Sequence, residues 1–316
     1  MVKRSSYFGG SVTKRLVFMR FIAAVSCLWL ACGLMSFGPG PGFREKYRAM
    51  LAQHKLKEAA AVVAQWEKAQ PQDADVYVAR FNLLLQEAET IAIATRPATG
   101  SEFIIQEPET DKAVGNIGSG YNPQKVKEAI QVLRKGLVLA PERLAIRFGM
   151  AKAAEFIGDA PQQYQVLSEA LAWRQSATGK PWRWRDGTAL PAPEAEFVSG
   201  SLEEYMVPYW QNQTAEGNQR GLALTELVLK YYPQSSIGYF NKGNYYAFTK
   251  NDAEAYKWFI QADKLNPNDP QNINNLLHTC LNLKNKVAAQ EYLTWLCQYP
   301  DFREDCQHYT AELKKL

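Results

Sequence analysis

Residues 236–268 read SIGYFNKGNYYAFTKNDAEAYKWFIQADKLNPN, and two short helical patterns sit in them. A polar turn, Thr249-Lys250-Asn251-Asp252, separates the two. Tyr239, Gly243 and Tyr246 share one face of the first pattern. Ala255, Phe259 and Ala262 share one face of the second, which stops at Pro267. Steps of three and four residues keep side chains on a single helical face. Small residues at Gly243 and Ala255 let two antiparallel helices cross closely, and Phe259 fills the next layer. Pro267 cannot continue the helix. The stretch predicts a helix–turn–helix hairpin.

The spacing recurs along the chain. Ala59, Val63, Trp66 and Pro71 step by four, three and five residues, as do Ala129, Leu133, Gly136 and Pro141. Gly221, Thr225, Val228 and Pro233 keep the pattern with weaker residue types, and Ala288, Tyr292, Trp295 and Pro300 close a last unit. Pro233 to Pro267 is 34 residues, Pro267 to Pro300 is 33, and Pro71 to Pro141 is 70. The last figure fits one repeat carrying an insertion between its helices. Trp66 stands where the best unit has Ala262, which requires extra room or a position at the end of the stack. Pro208 lies inside a predicted helix over 197–211 and should kink it.

The order aromatic, small, aromatic, then Ala, aromatic, Ala and a closing Pro resembles the tetratricopeptide repeat (TPR) family, here on Tyr239, Gly243, Tyr246, Ala255, Phe259, Ala262 and Pro267. Lys242 departs from it, since Leu is usual before the glycine. The resemblance implies an all-α fold, a right-handed TPR-like α-solenoid of about six helix hairpins over residues 43–316, capped by a helix over 302–316. It also implies a non-enzymatic interaction protein that takes a protein or peptide partner along the first helices of its hairpins. Some members clamp a peptide carboxylate with Asn, Lys and Arg. The two Asn places fall on Asn244 and Asn275, but the basic places fall on Phe240, Asp305 and Tyr309, so that clamp is not carried over. Asn241, Asn244, Tyr245, Asn274, Asn275 and His278 remain candidates for partner contact, against a plain solvated face.

Two stretches break the repeat. Residues 90–121 contain four glycines, and SEFIIQ (101–106) and AVGNI (113–117) predict a small β-hairpin around 107–112. Residues 175–193 contain Pro181-Trp182-Arg183-Trp184-Arg185. Trp182, Arg183 and Trp184 are candidates for gripping a partner or stacking on a solute or glycan. The competing reading packs the rings back onto the helices.

A basic leader holding Lys3, Arg4, Lys14, Arg15 and Arg20 precedes FIAAVSCLWLACGLMSF, an uncharged run over 21–37. This is the layout of an export signal or short anchor. Leu28-Trp29-Leu30-Ala31-Cys32 resembles a bacterial lipoprotein box with Cys32 lipidated. Ordinary signal cleavage and an uncleaved anchor are the alternatives. A Gly/Pro linker follows over 38–42. The expectation is a membrane-anchored protein with its body in the periplasm, working as a scaffold in assembly of a membrane-associated complex.

Lys and Arg number 36 against 32 Asp and Glu. Without the five leader cations the body is near neutral, which gives no electrostatic case for nucleic acid. His54, His278 and His308 are isolated, and neither a nucleophile motif nor a phosphate loop is present. No catalytic residue, cofactor or metal is expected. Cys280, Cys297 and Cys306 read as three small buried side chains, with one bridge among them as the alternative.

Overall fold

The computed structural model describes residues 42–94, 103–106, 113–177, 180–212 and 214–316. The signal or anchor segment, Cys32 and nearly all of the Gly/Pro linker lie outside the described residues. Thirteen α-helices and one three-stranded sheet are described, and the helices pair into the six expected hairpins plus a last helix. The chain divides into two compact units, one ending at Pro191 and the other running Ala192–Leu316. The boundary falls in the second irregular stretch.

In the first unit the hairpins are α1 (Phe43–Ala52) with α2 (Leu56–Ala69), α3 (Ala74–Ala88) with α4 (Pro123–Leu139), and α5 (Leu144–Phe156) with α6 (Ala160–Ser176). In the second they are α7 (Glu194–Asn212) with α8 (Ala215–Tyr231), α9 (Ser236–Phe248) with α10 (Asp252–Leu265), and α11 (Pro270–Asn282) with α12 (Lys286–Leu296). The last helix, α13 (Arg303–Leu313), packs on α11 and α12. Within each unit every hairpin also packs on the next, so the apolar face of each helix pair is covered by its neighbour.

Local chemistry sets the hairpin ends. His54, Gly158, Lys250 and Lys284 take positive φ (55–68°) in four of the inter-helix turns. A few residues on, the next helix of three of these hairpins starts at a capping side chain. Asp159, Asn251 and Asn285 accept from the backbone N–H of Gln162, Glu254 and Ala288. Asp73, Asn122, Thr214, Ser235 and Asp269 cap five further helices in the same way. Helix α7 runs unbroken through Pro208.

Close crossing at the small residues is direct. A Cβ placed on Gly243 would lie 2.4 Å from the Phe259 ring, and one on Gly221 2.4 Å from the Trp210 ring. Phe259 is fully buried and Ala255 is inaccessible, so the ring cannot swing outward without opening the core. Gly243→Ala is expected to lower stability by about 2–3 kcal/mol in urea unfolding. An unchanged midpoint would show that α9 and α10 are free to separate. Lys242, the departure from the repeat pattern, sits with its Nζ 4.2 Å over the Trp258 ring and 2.8 Å from Glu226 Oε1. Trp66 needs no free end. It is buried against Phe43, and its Nε1 donates to Gln70 Oε1 and Asp73 Oδ2, both at 3.0 Å.

The first insertion is larger than the expected β-hairpin. Strands β2 (Phe103–Gln106) and β3 (Ala113–Tyr121) pair antiparallel as expected, but β1 (Glu89–Ala94) joins the other side of β3, giving the order β1-β3-β2. Its sequence, ETIAIA, follows directly on α3, so helical periodicity masks the alternation of a strand. Tyr121, at the end of β3, stacks on Phe156 of α5 at 4.5 Å.

Cys297 and Cys306 are joined in a disulfide, and Cys280 is the free cysteine among the described residues, where it is buried. This corrects the reading of three small buried side chains. Cys297 lies on the surface at the end of α12, and α13 brings Cys306 to it. The bridge closes a short loop, which corresponds to about 2–3 kcal/mol in the chain-entropy picture. A Cys297→Ser, Cys306→Ser double variant is expected to lose that amount and to become insensitive to dithiothreitol. A thermal midpoint equal to that of the oxidised protein would contradict this.

Candidate interaction surfaces

In the second unit the first helices are tied across successive hairpins by polar side chains. Trp210 Nε1 on α7 donates to Asn241 Oδ1 on α9 at 2.9 Å. Asn241 Nδ2 donates to Glu203 Oε1 on α7 at 2.8 Å and to the Ile237 carbonyl at 3.0 Å. One step along, Asn275 Nδ2 on α11 donates to Asn244 Oδ1 on α9 at 2.9 Å. On the same helix His278 meets the edge of Tyr309 of α13 at 6.3 Å. Trp210 also stacks on Phe248 at 5.8 Å.

Asn241 is buried and both of its amide groups are engaged, so it is a strut between α7 and α9 and not a partner contact. Asn244 is buried as well and accepts from Asn275. Tyr245, Asn274, Asn275 and His278 are half-buried and keep surface open to solvent. Tyr245 accepts from Gln219 Nε2 at 3.0 Å through its hydroxyl. Asn274 holds a buried Oδ1 without a hydrogen-bond donor. Burial lowers the pKa of His278, with Asp252 opposing that shift and His308 adding to it. The imidazole therefore favours its neutral form, able to donate and accept at once.

Glu203 is the functional-looking group that sequence reasoning missed, because one Glu among several on α7 carries no signal without its neighbours. Burial raises its carboxyl to about 7, opposed by the bond from Asn241 and assisted by the charges of Asp269 and Glu204. The folded carboxyl thus keeps its proton where the unfolded one has lost it. Stability from this group is present at low pH and falls as pH rises from about 4.5 towards and through about 7. Part of the residue stays accessible, which limits the size of the effect. Glu203→Gln, which can still accept from Asn241, is expected to stabilise the protein at pH 8.5 by about 1–3 kcal/mol and to leave pH 5 nearly unchanged. Urea unfolding at the two pH values measures it, and parallel curves for both proteins would rule it out.

In the first unit the Trp loop is not an open aromatic platform. Trp182 is 2 % exposed and lies 4.7 Å from Trp173 of α6. The Arg147 guanidinium lies beside this Trp pair, 5.4 Å from Trp173 and 5.6 Å from Trp182. Burial pulls Arg147 down to about 10, so it stays a cation at neutral pH. Arg147 Nη2 also donates to the Pro141 carbonyl at 3.1 Å. Trp184 meets Phe148 of α5 edge-on at 6.2 Å, with Arg185 over its ring. Arg183 is exposed, and its backbone bridges to the start of α5: its N–H donates to the Glu142 carbonyl and its carbonyl accepts from Leu144 N–H, both 2.9 Å. A solute stacked between Trp182 and Trp184 has no access to the first ring, so Trp182 is a packing residue.

Among the described residues no group of three His, Cys, Asp or Glu side chains is placed to hold a metal, and no helix is long and apolar enough to cross a membrane. A shallow depression of about 370 Å³ lies beside the disulfide, between Lys286, Gln290, Thr294 and Lys314. It contains none of the sequence-derived candidates.

Together these features define a protein of stacked α-hairpins whose specific groups are on its surfaces. Residues 238–269 match the tetratricopeptide repeat family, the same stretch whose spacing decides the fold. No curated protein matches the sequence. Solved structures are similar at low identity. The C-terminal part of a TPR repeat-containing protein from Cytophaga hutchinsonii is 11% identical, covering 86% of this chain and 83% of that one with a TM-score of 0.45. PilW, described as a type IV pilus biogenesis factor, is 11% identical over 82% of this chain and 94% of that one, at a TM-score of 0.40. YrrB, described as a TPR protein with an unusual peptide-binding site, is 13% identical over 80% and 98%, at 0.39. These likenesses transfer no residue role.

Proposed function

We propose that this protein is an interaction scaffold, held at a membrane by its N-terminal segment and carrying its repeats in an oxidising compartment. The observation that carries the scaffold role is the polar ladder over α7, α9, α11 and α13. It holds Asn274, Asn275 and His278 half-open on a rigid face, where hydrogen bonds to an extended peptide meet preorganised partners. The basic leader and uncharged 21–37 run support attachment to a membrane, and the Cys297–Cys306 bridge suits an exported body. Assembly of a membrane-associated complex is the role that such a placement favours.

A photo-crosslinking residue at position 278, compared with one at the exposed Lys257 of α10, tests the scaffold role in native membranes. Crosslinks to one defined protein from position 278 and not from 257 are expected. Equal or absent labelling from the two positions would end this assignment. Membrane attachment is tested separately: mass spectrometry should find a diacylglyceryl group on Cys32, whereas an intact peptide spanning Cys32 would replace the lipoprotein reading with an uncleaved anchor.

A further inference from the structure

We propose that the turn 184–188 is a displaceable in-chain occupant of a carboxylate seat on α1, and that the seat's other occupant is an extended peptide of a partner protein carrying an acidic residue two positions after an aromatic one. The seat is formed by Arg44 and Arg48, four residues apart and therefore on one face of α1. Arg44 Nη1 lies 3.4 Å from Asp186 Oδ1, and Arg48 Nη2 lies 3.2 Å from Asp186 Oδ2, so each carboxylate oxygen meets its own guanidinium. Behind the seat Arg44 also pairs with Asp75 of α3, which in turn holds Arg143 at 2.6 Å. Next to it Trp184 rests on Phe148 of α5. The strap thereby makes contact, directly or through one charged partner, with the first helices of three successive hairpins. It lies where a separate extended chain reading those helices would have to lie.

Two halves of the strap differ in how firmly they are held. Trp182 is buried against Arg147 and Trp173 and anchors the base. Beyond it the turn is closed by hydrogen bonds of its own: Trp184 N–H donates to the Thr188 carbonyl at 2.7 Å, and Thr188 donates through N–H and Oγ1 to the Arg185 carbonyl. Asp186 and Gly187 both sit at positive φ, 52° and 73°. A left-handed aspartate is an unfavourable backbone state that a linear peptide need not adopt. The Asp186 carboxylate is 41% exposed and Arg48 56%, so their pairing is weak and solvent-screened. Such a contact is strong enough to fill the seat and weak enough to be replaced by an unstrained carboxylate.

This inference rests on the interaction role proposed above, but its test does not need the natural partner. A fluorescein-labelled peptide with the strap's own sequence, PWRWRDGT, is titrated against the full-length protein and followed by anisotropy. With its seat emptied, the Asp186→Ala variant is expected to bind the peptide about tenfold more tightly than the natural protein. Adding Arg44→Ala and Arg48→Ala is expected to abolish that gain, and a peptide with Asn in place of its Asp is expected to show none. Asp186→Asn serves as a second emptied seat, with urea midpoints confirming that each variant is folded. Equal peptide affinity for the natural and emptied proteins, or a gain that survives loss of both arginines, would overturn the proposal. Either result leaves the crosslinking from position 278 standing, and failure of that crosslinking leaves the peptide titration standing.

Discussion

Asp75→Ala is expected to lower the stability of the protein by about 3–5 kcal/mol, the range for removing one partner of a buried ion pair. Asp75 and Arg143 are 8 % and 7 % exposed and 2.6 Å apart, and Asp75 also receives Arg44. Without the carboxylate, Arg143 remains in the same enclosed position without its ion-pair partner, favoured only through space by Asp186, Asp73 and Glu142. The helix cap is not at issue, because the capping side chain of α3 is Asp73. Asp73→Ala removes that cap and one of the two acceptors of Trp66 Nε1, and should cost about 1–2 kcal/mol. Replacing the pair together, with Asp75→Leu and Arg143→Met, should recover most of the loss, since two apolar side chains need no counter-charge. Urea unfolding of the four proteins decides the matter. A cost for Asp75→Ala no larger than that of Asp73→Ala would mean that water reaches Arg143.

Trp182→Ala should cost a similar amount, about 3–5 kcal/mol, the range for deleting a large buried aromatic. The loss has two sources. The cavity removes ring contact with Trp173, and Arg147 loses one of the two aromatic neighbours of its guanidinium. A Trp182 that merely displayed its ring to a ligand would be removed at little cost in stability. The measurement therefore separates the packing role from the platform role suggested by the Trp-Arg-Trp-Arg sequence. Arg147→Met is a useful companion, because it keeps most of the side-chain volume beside the rings and removes the charge. If Trp182→Ala costs much less in that background, the stabilisation lies in the cation beside the rings.

The contrast between Trp182 and Asp186 shows how the two halves of one irregular segment take different roles. In the sequence, both belong to a Pro- and Trp-bearing break between repeats. In the structure one is an anchor beneath the strap and the other a surface group on a pair of arginines. Similar side-chain chemistry on the polar ladder divides in the same way: Asn241 is consumed by Trp210, Glu203 and a backbone carbonyl, whereas Asn274 and Asn275 stay partly open. Helical spacing marks which residues share a face. It does not say which of them the adjacent hairpin will cover.

What the sequence determined by itself is the hairpin and its repetition. Gly243, Ala255, Phe259 and Pro267 act through contacts within thirty residues of one another, so their steric meaning can be read from spacing alone, and the same spacing marks the other units. What only the tertiary structure decided are the features made by residues far apart or masked by local pattern. Strand β1 depends on β3 to become a strand, Cys306 on α13 to reach Cys297, and Arg44 on a loop some 140 residues later to find Asp186. Local sterics act along the chain and leave a periodic trace. Pairings closed by packing leave none until the helices are stacked.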